Sequence, residues 1–185
     1  MMSALLEADL LRPCLAERPQ WYVLHTLANH EKRVAQHMQQ LEIEHFLPLY
    51  RSVRRWSDRK KELQLPLFAG YVFVHTRLRE RLRILQAPGV VQLVSFQGKP
   101  AAVAETEIEF LRGTLRGGVC VEPYPYLKLG RRVRVHSGPL AGIEGFLADR
   151  KGRLRVVLSL DLIQRSIAAE VAADEIEPAG TAQAA

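Results

Sequence analysis

The stretch Leu65-Pro66-Leu67-Phe68-Ala69-Gly70-Tyr71-Val72-Phe73-Val74-His75 decides how the first half of the chain folds. From Gly70 onward it consists of β-branched and aromatic residues, the composition of a strand that starts at a glycine. Strand side chains alternate between faces, so Tyr71 and Phe73 share one face and Val72 and Val74 the other. The valines read as the core face. Two neighbouring aromatics then stand opposite, where water, a partner or a helix of this chain must cover them, since one face of an antiparallel sheet is often solvated.

Working outward, Phe46 to Trp56 is extended, with Pro48 at an edge position. Ser57 to Glu62 is a polar, charged tip, and Leu63 to Phe68 returns, which makes a long hairpin leading into the Gly70–Val74 strand. Upstream, Trp21–Thr26 has strand composition. Asn29 is placed to cap a helix running to Leu41, with Val34, Met38 and Leu41 at helical spacing and His30, Lys32, Arg33 and His37 on the other face. Downstream, Leu78, Leu82 and Leu85 mark the apolar side of a second helix that Pro88-Gly89 stops. Val90–Phe96 is a strand closed by the turn Gln97–Pro100. Ile108, Leu111 and Leu115 mark a third helix, acidic early and basic late as the helix dipole favours. The order β-α-β-β-α-β-α is a split βαβ, ferredoxin-like arrangement with one added helix.

Gly117-Gly118 and Pro123-Tyr124-Pro125 break the pattern and read as a linker. Beyond it come only short strands: Arg132–His136, Gly145–Ala148, Leu154–Leu160 and Ile163–Val171. Turns at Ser137–Gly142 and Asp149–Gly152 separate them, the pattern of a small barrel. The last strand conflicts with the helix formers in Ala168–Ala173. The predicted architecture is α+β: a loose tail over 1–19, a ferredoxin-like domain over 20–116, a linker over 117–127, a small β-barrel over 128–178 and a tail over 179–185.

The net charge of +6 favours an anionic partner, nucleic acid above all. Two basic clusters carry it. Arg51–Lys61 holds six basic residues against Asp58, and Lys128–Arg155 holds eight against Glu144 and Asp149. Each is either a nucleic-acid surface or a solvated face. Cys14 and Cys120 lie far apart and outside metal-ligand spacing, which fits a reducing compartment. No apolar run reaches the ~18 residues of a membrane helix, and Glu7 and Asp9 stand where an export signal carries positive charge.

No catalytic constellation is present. Gly98-Lys99 lacks the other residues of a phosphate loop, and there is no His-Glu-x-x-His. His30 and His37 share a helix face with no third ligand indicated, so neither a metal nor a cofactor is expected. Gly70–Val74 partly matches an RNA-recognition signature but departs from it at Ala69 and Val72, which leaves a stand-alone RNA-binding protein as an alternative.

Three motifs carry a family resemblance. Trp21-Tyr22, Leu67–Val74, and Gly130–Val135 followed by Gly138-Pro139-Leu140-Ala141-Gly142 resemble, in this order and spacing, the NusG family of transcription elongation factors. The first two belong to its N-terminal (NGN) domain and the third to its KOW domain. Arg54–Arg59 and Leu160–Ser166 look most like the specialised UpxY and RfaH-type antiterminators. Ala69 departs from the proline that usually precedes this glycine. The resemblance implies a bacterial elongation and antitermination factor, not an enzyme, acting on long operons in the cytoplasm as a monomer. It implies an apolar depression that binds the clamp helices of RNA polymerase, including Phe68, Tyr71 and Phe73, with Trp21, Tyr22 and His25 at its border. Lys32, Arg33, Arg54, Arg55, Arg59, Lys60 and Lys61 would approach non-template DNA or nascent RNA. Pro139, Leu140 and Ala141 would meet ribosomal protein S10 or Rho, with Leu140 either an exposed apolar contact at its turn tip or folded back to seal one end of the barrel.

Overall fold

The structure, a computed structural model, describes residues 18–55, 60–124, 131–150 and 153–179. The chain divides into two compact units, one built on residues up to Leu47 with Ala69–Ile108, the other on Pro48–Phe68 with the chain from Glu109 onward.

In the first unit, β1 (Gln20–Thr26) leads to α1 (Glu31–Gln40). Asn29 does not cap this helix. It takes a left-handed conformation (φ 62°) in the preceding turn, and the helix begins two residues later with no side-chain cap bond. Val34, Ala35 and Met38 form its buried stripe. The other strands are β2 (Glu44–Phe46), then, beyond the hairpin of β3 (Leu49–Arg55) and β4 (Lys60–Pro66), β5 (Tyr71–Thr76). A 3-10 turn (Leu78–Glu80) and α2 (Arg81–Leu85) precede β6 (Val90–Leu93). The sheet order is β2-β5-β1-β6, every pair antiparallel, which is the ferredoxin-like order. The small strands β7 (Ser95–Phe96) and β8 (Lys99–Pro100) form a hairpin, and β9 (Ala102–Val103) pairs with β1. The core lies between one sheet face (Tyr22, Leu24, Val72, Val74, Leu93) and the helices (Val34, Met38, Ile84).

The second helix turns a different face inward from the one its leucines predict. Ile84 is fully buried, whereas Leu82 and Leu85 are exposed. A five-residue helix entered through a 3-10 turn does not keep the regular i, i+4, i+7 stripe on one side.

In the second unit, β3 and β4 pair from Leu49↔Pro66 to Arg55↔Lys60. The third helix, α3 (Glu105–Arg116), buries Leu111 and Thr114 in its C-terminal half. The remaining strands are β10 (Val121–Tyr124), β11 (Arg131–Val135), β12 (Glu144–Arg150), β13 (Arg153–Leu160), β14 (Arg165–Glu170) and β15 (Ile176–Pro178). They form one antiparallel sheet in the order β10-β14-β13-β12-β11-β15. Part of the stretch read as a linker is thus an edge strand. The alanine-rich run stays extended because β14 pairs on both sides, with β13 and β10, and its Ile167, Ala168 and Ala169 are buried; tertiary pairing outweighs local propensity. Gly145 is required by close approach, since a Cβ there would lie 2.6 Å from both Val156 Cγ1 and the Val157 carbonyl oxygen.

Candidate functional site

The register of three strands gathers one aromatic face. Trp21 pairs with His75, Val23 with Phe73 and His25 with Tyr71 across β1 and β5, while Phe46 and Glu44 of β2 pair with Phe73 and His75. By alternation these residues all lie on the side of the sheet away from α1. Trp21 stacks on His75 (centroids 5.1 Å, 24°), His25 meets Tyr71 at 5.5 Å, and Phe46 meets Phe73 at 6.1 Å. His75 Nδ1 lies 3.0 Å from Glu44 Oε2. At the Trp21–His75 end the face opens on a cleft of about 490 Å³ bordered by Arg18, Val103 and Glu105.

Exposure divides this face. Trp21, Val23 and Phe73 are buried, whereas His25, Phe46, Tyr71 and His75 are half-buried. Phe73, at 0% exposed, is covered within this chain and needs no outside partner, one of the outcomes that alternation leaves open. Phe68 is buried too. Tyr22 lies on the opposite face, in the core with Leu24 and Val34, so strand alternation separates it from Trp21. Burial pushes its phenol pKa up, and its hydroxyl donates to Gln20 Oε1 at 3.1 Å. Phe46, His75 and Glu44 were not foreseen as members. Extending the Tyr71, Phe73 alternation by one step reaches His75, but Phe46 and Glu44 join only through the pairing of β2 with β5.

The loop before β5 is pinned from both sides. Gly70 has φ 84°, a conformation that favours glycine. Its N–H donates to the buried Glu31 carboxylate at 2.7 Å, and its carbonyl accepts from the Thr26 N–H at 2.8 Å. Glu31 sits in the first turn of α1, where the helix dipole favours a negative charge. This arrangement fixes where Tyr71 leaves the loop.

Of the expected nucleic-acid residues, Lys32 and Arg33 are exposed on α1. The hairpin register sets Arg54 opposite Lys61 and Arg55 opposite Lys60. Their side chains, and all of Arg59, lie outside the described residues, as do the tail over 1–17, Cys14 and residues 180–185. In the C-terminal sheet, Arg134 and Arg132 both bond to Glu144, so part of that basic surface is internally paired.

Leu140 is only 3% exposed, whereas Pro139 and Ala141 are exposed. The exposed apolar contact expected at this tip is absent. Gly142 N–H donates to the Val135 carbonyl and Val135 N–H to the Ile143 carbonyl, which folds the turn back onto β11 and turns Leu140 inward.

Among the described residues no group of three His, Cys, Asp or Glu could hold a metal ion. No helix among them is long and apolar enough to cross a membrane.

A family model described as transcription termination factor NusG matches residues 19–112, about half of the chain. The transcription termination/antitermination protein NusG of Buchnera aphidicola is 26% identical over 161 residues, covering 78% of this chain and 89% of that protein. The protein of the same name from Pseudomonas aeruginosa is 25% identical over 173 residues, covering 85% and 97%. A solved structure titled as a study of domain interaction in Thermotoga maritima NusG covers 88% of this chain and 98% of that one, with a TM-score of 0.54 and 22% identity, a likeness of fold. Residues 19–112 are thus an NGN domain, and the antiparallel sheet that follows resembles the NusG KOW domain. The chain belongs to the NusG family of transcription termination and antitermination factors, which are not enzymes.

Proposed function

We propose that this protein is a bacterial elongation and antitermination factor that binds RNA polymerase through the aromatic face of its NGN domain. One observation carries the reading: the register brings Trp21, His25, Phe46, Tyr71, Phe73 and His75 onto one face, although they come from three strands. Aromatics are the residues that dominate interface energetics. Because Trp21 and Phe73 are buried, the half-buried His25, Phe46, Tyr71 and His75 are the groups that offer first contact. Holding the polymerase clamp in its closed, pause-resistant position is a population shift and needs no chemistry.

Lys32, Arg33 and the hairpin cations would approach non-template DNA or nascent RNA. The run of six basic residues over Arg51–Lys61 is the charge pattern that attracts a polyanion. Pro139 and Ala141, not Leu140, would present the KOW loop to ribosomal protein S10 or Rho. The Arg54–Arg59 and Leu160–Ser166 motifs support a specialised, operon-directed paralogue of the UpxY or RfaH type working in the cytoplasm as a monomer. Titrating the full chain with purified core RNA polymerase and, separately, with RNA tests the reading. Saturable polymerase binding that Tyr71→Ala weakens is the expected result. Binding to RNA alone would leave a stand-alone RNA-binding protein.

A further inference from the structure

The outer edge of the C-terminal sheet is held by a segment of unusual origin. β10 comes from the connection between the domains and lies on β14 from Val121↔Ala169 to Tyr124↔Ser166, with Val121 buried. Beneath it, β14 is buried from Ser166 to Ala169, a run with no charge to repel an approaching strand. Such an edge pairs with any extended backbone that reaches it, and proteins keep it covered. β10 itself is short and carries Pro123, which has no N–H to donate and suits only an outermost strand.

One buried cation staples it in place. Arg155 of β13, 9% exposed, reaches across β14 and donates through Nη1 to Glu122 and through Nη2 to Glu170 at 3.0 Å. The two carboxylates come from different strands. If β10 leaves, Arg155 keeps Glu170, its direct cross-strand neighbour, so the sheet is not left with a lone buried charge. The staple therefore selects an acidic strand at this edge without making the rest of the sheet depend on it.

We propose that β10 is a displaceable edge strand: the edge of β14 is a docking surface for an extended segment of a partner protein bearing a carboxylate that meets Arg155, and Val121–Tyr124 occupies it in competition with that partner. Backbone pairing supplies the affinity and the carboxylate supplies the selectivity. This surface is separate from the aromatic face, and the proposal does not depend on polymerase binding.

The test uses the full chain. By residue-resolved hydrogen exchange, the Glu170 N–H, which donates to the Cys120 carbonyl, should exchange at least about tenfold faster than the amides of Val156 and Val157 in the wild type, through local opening of the edge. Glu122→Gln should accelerate Glu170 further and leave Val156 and Val157 unchanged. A synthetic peptide with the sequence Gly118–Tyr124 serves as the incoming strand. It should bind the Glu122→Gln chain more tightly than the wild type, and a peptide with Gln at the Glu122 position should bind that variant more weakly. Exchange of Glu170 in step with Val156 and Val157 would overturn the proposal. So would a Glu170 rate insensitive to Glu122→Gln, equal peptide binding to both chains, or no peptide binding to the variant.

Discussion

Replacing Phe73 and Tyr71 by alanine separates a core ring from a docking ring on the same strand. Phe73 is 0% exposed, pairs with Val23 and Phe46, and lies 6.1 Å from the Phe46 ring. Truncating a buried phenylalanine removes its transfer free energy and leaves a cavity, about 3–5 kcal/mol in all. Against a total stability of roughly 5–15 kcal/mol, that is a large share. Phe73→Leu keeps most of the volume and should cost about 1 kcal/mol. Tyr71 is half-buried and its ring meets His25, so Tyr71→Ala should cost about 1 kcal/mol of stability. At the polymerase it should cost about 2 kcal/mol, a fall in affinity of roughly 30-fold. Thermal unfolding by circular dichroism and equilibrium titration of core RNA polymerase give the two readouts. The expected pattern is a destabilised Phe73→Ala and a folded, weakly binding Tyr71→Ala. A Phe73→Ala chain as stable as the wild type would show that the ring is not core. A folded Tyr71→Ala chain with undiminished affinity would move the docking face elsewhere.

Tyr22 should affect stability at alkaline pH and not polymerase binding. Burial raises its folded pKa above the usual 10.0, so its contribution is intact below that value and is lost as pH rises through the folded pKa; Tyr22→Phe should remove this alkaline loss in pH-dependent unfolding and leave affinity unchanged. Leu140→Asp places a charge where a 3% exposed leucine sits, and should unfold the C-terminal sheet by more than about 3 kcal/mol; a variant with unchanged β signal in circular dichroism would mean the turn opens easily. Reversing Lys32 and Arg33 to glutamate should weaken crosslinking to non-template DNA and flatten its salt dependence, and unchanged crosslinking would return both to a solvated face. Gly145→Ala should destabilise by about 1–3 kcal/mol in a denaturant titration, since the added Cβ meets the Val157 backbone.

Much of the fold is legible in the sequence. Period-two runs at Trp21–Thr26 and Tyr71–Val74 and the helical spacing of Val34 and Met38 are local signals, and each maps onto an element, whereas the break at Pro123 proves to lie within strand β10. The family motifs at Leu67–Val74 and Gly138–Gly142 were equally readable, because they are local in sequence. Two readings failed on local backbone geometry that composition does not reveal. Asn29 has the chemistry of a cap, yet it takes a left-handed conformation in the turn before the helix. Leu82 and Leu85 repeat correctly, yet the short helix buries Ile84.

What the sequence by itself determined is therefore the identity and order of the main elements, the strands β9, β10 and β15 excepted, and which residues share a strand face, since both follow from spacing along the chain. What only the tertiary structure decided is which of those faces is covered and by which neighbours. Alternation separates Phe73 from Val72 but cannot say that both are buried. No pattern within Val121–Tyr124 shows that it pairs with β14, and none within Ala168–Ala173 shows that pairing on both sides holds its first residues extended. Burial and strand pairing depend on residues distant in sequence and close in space, and a periodicity carries no information about them.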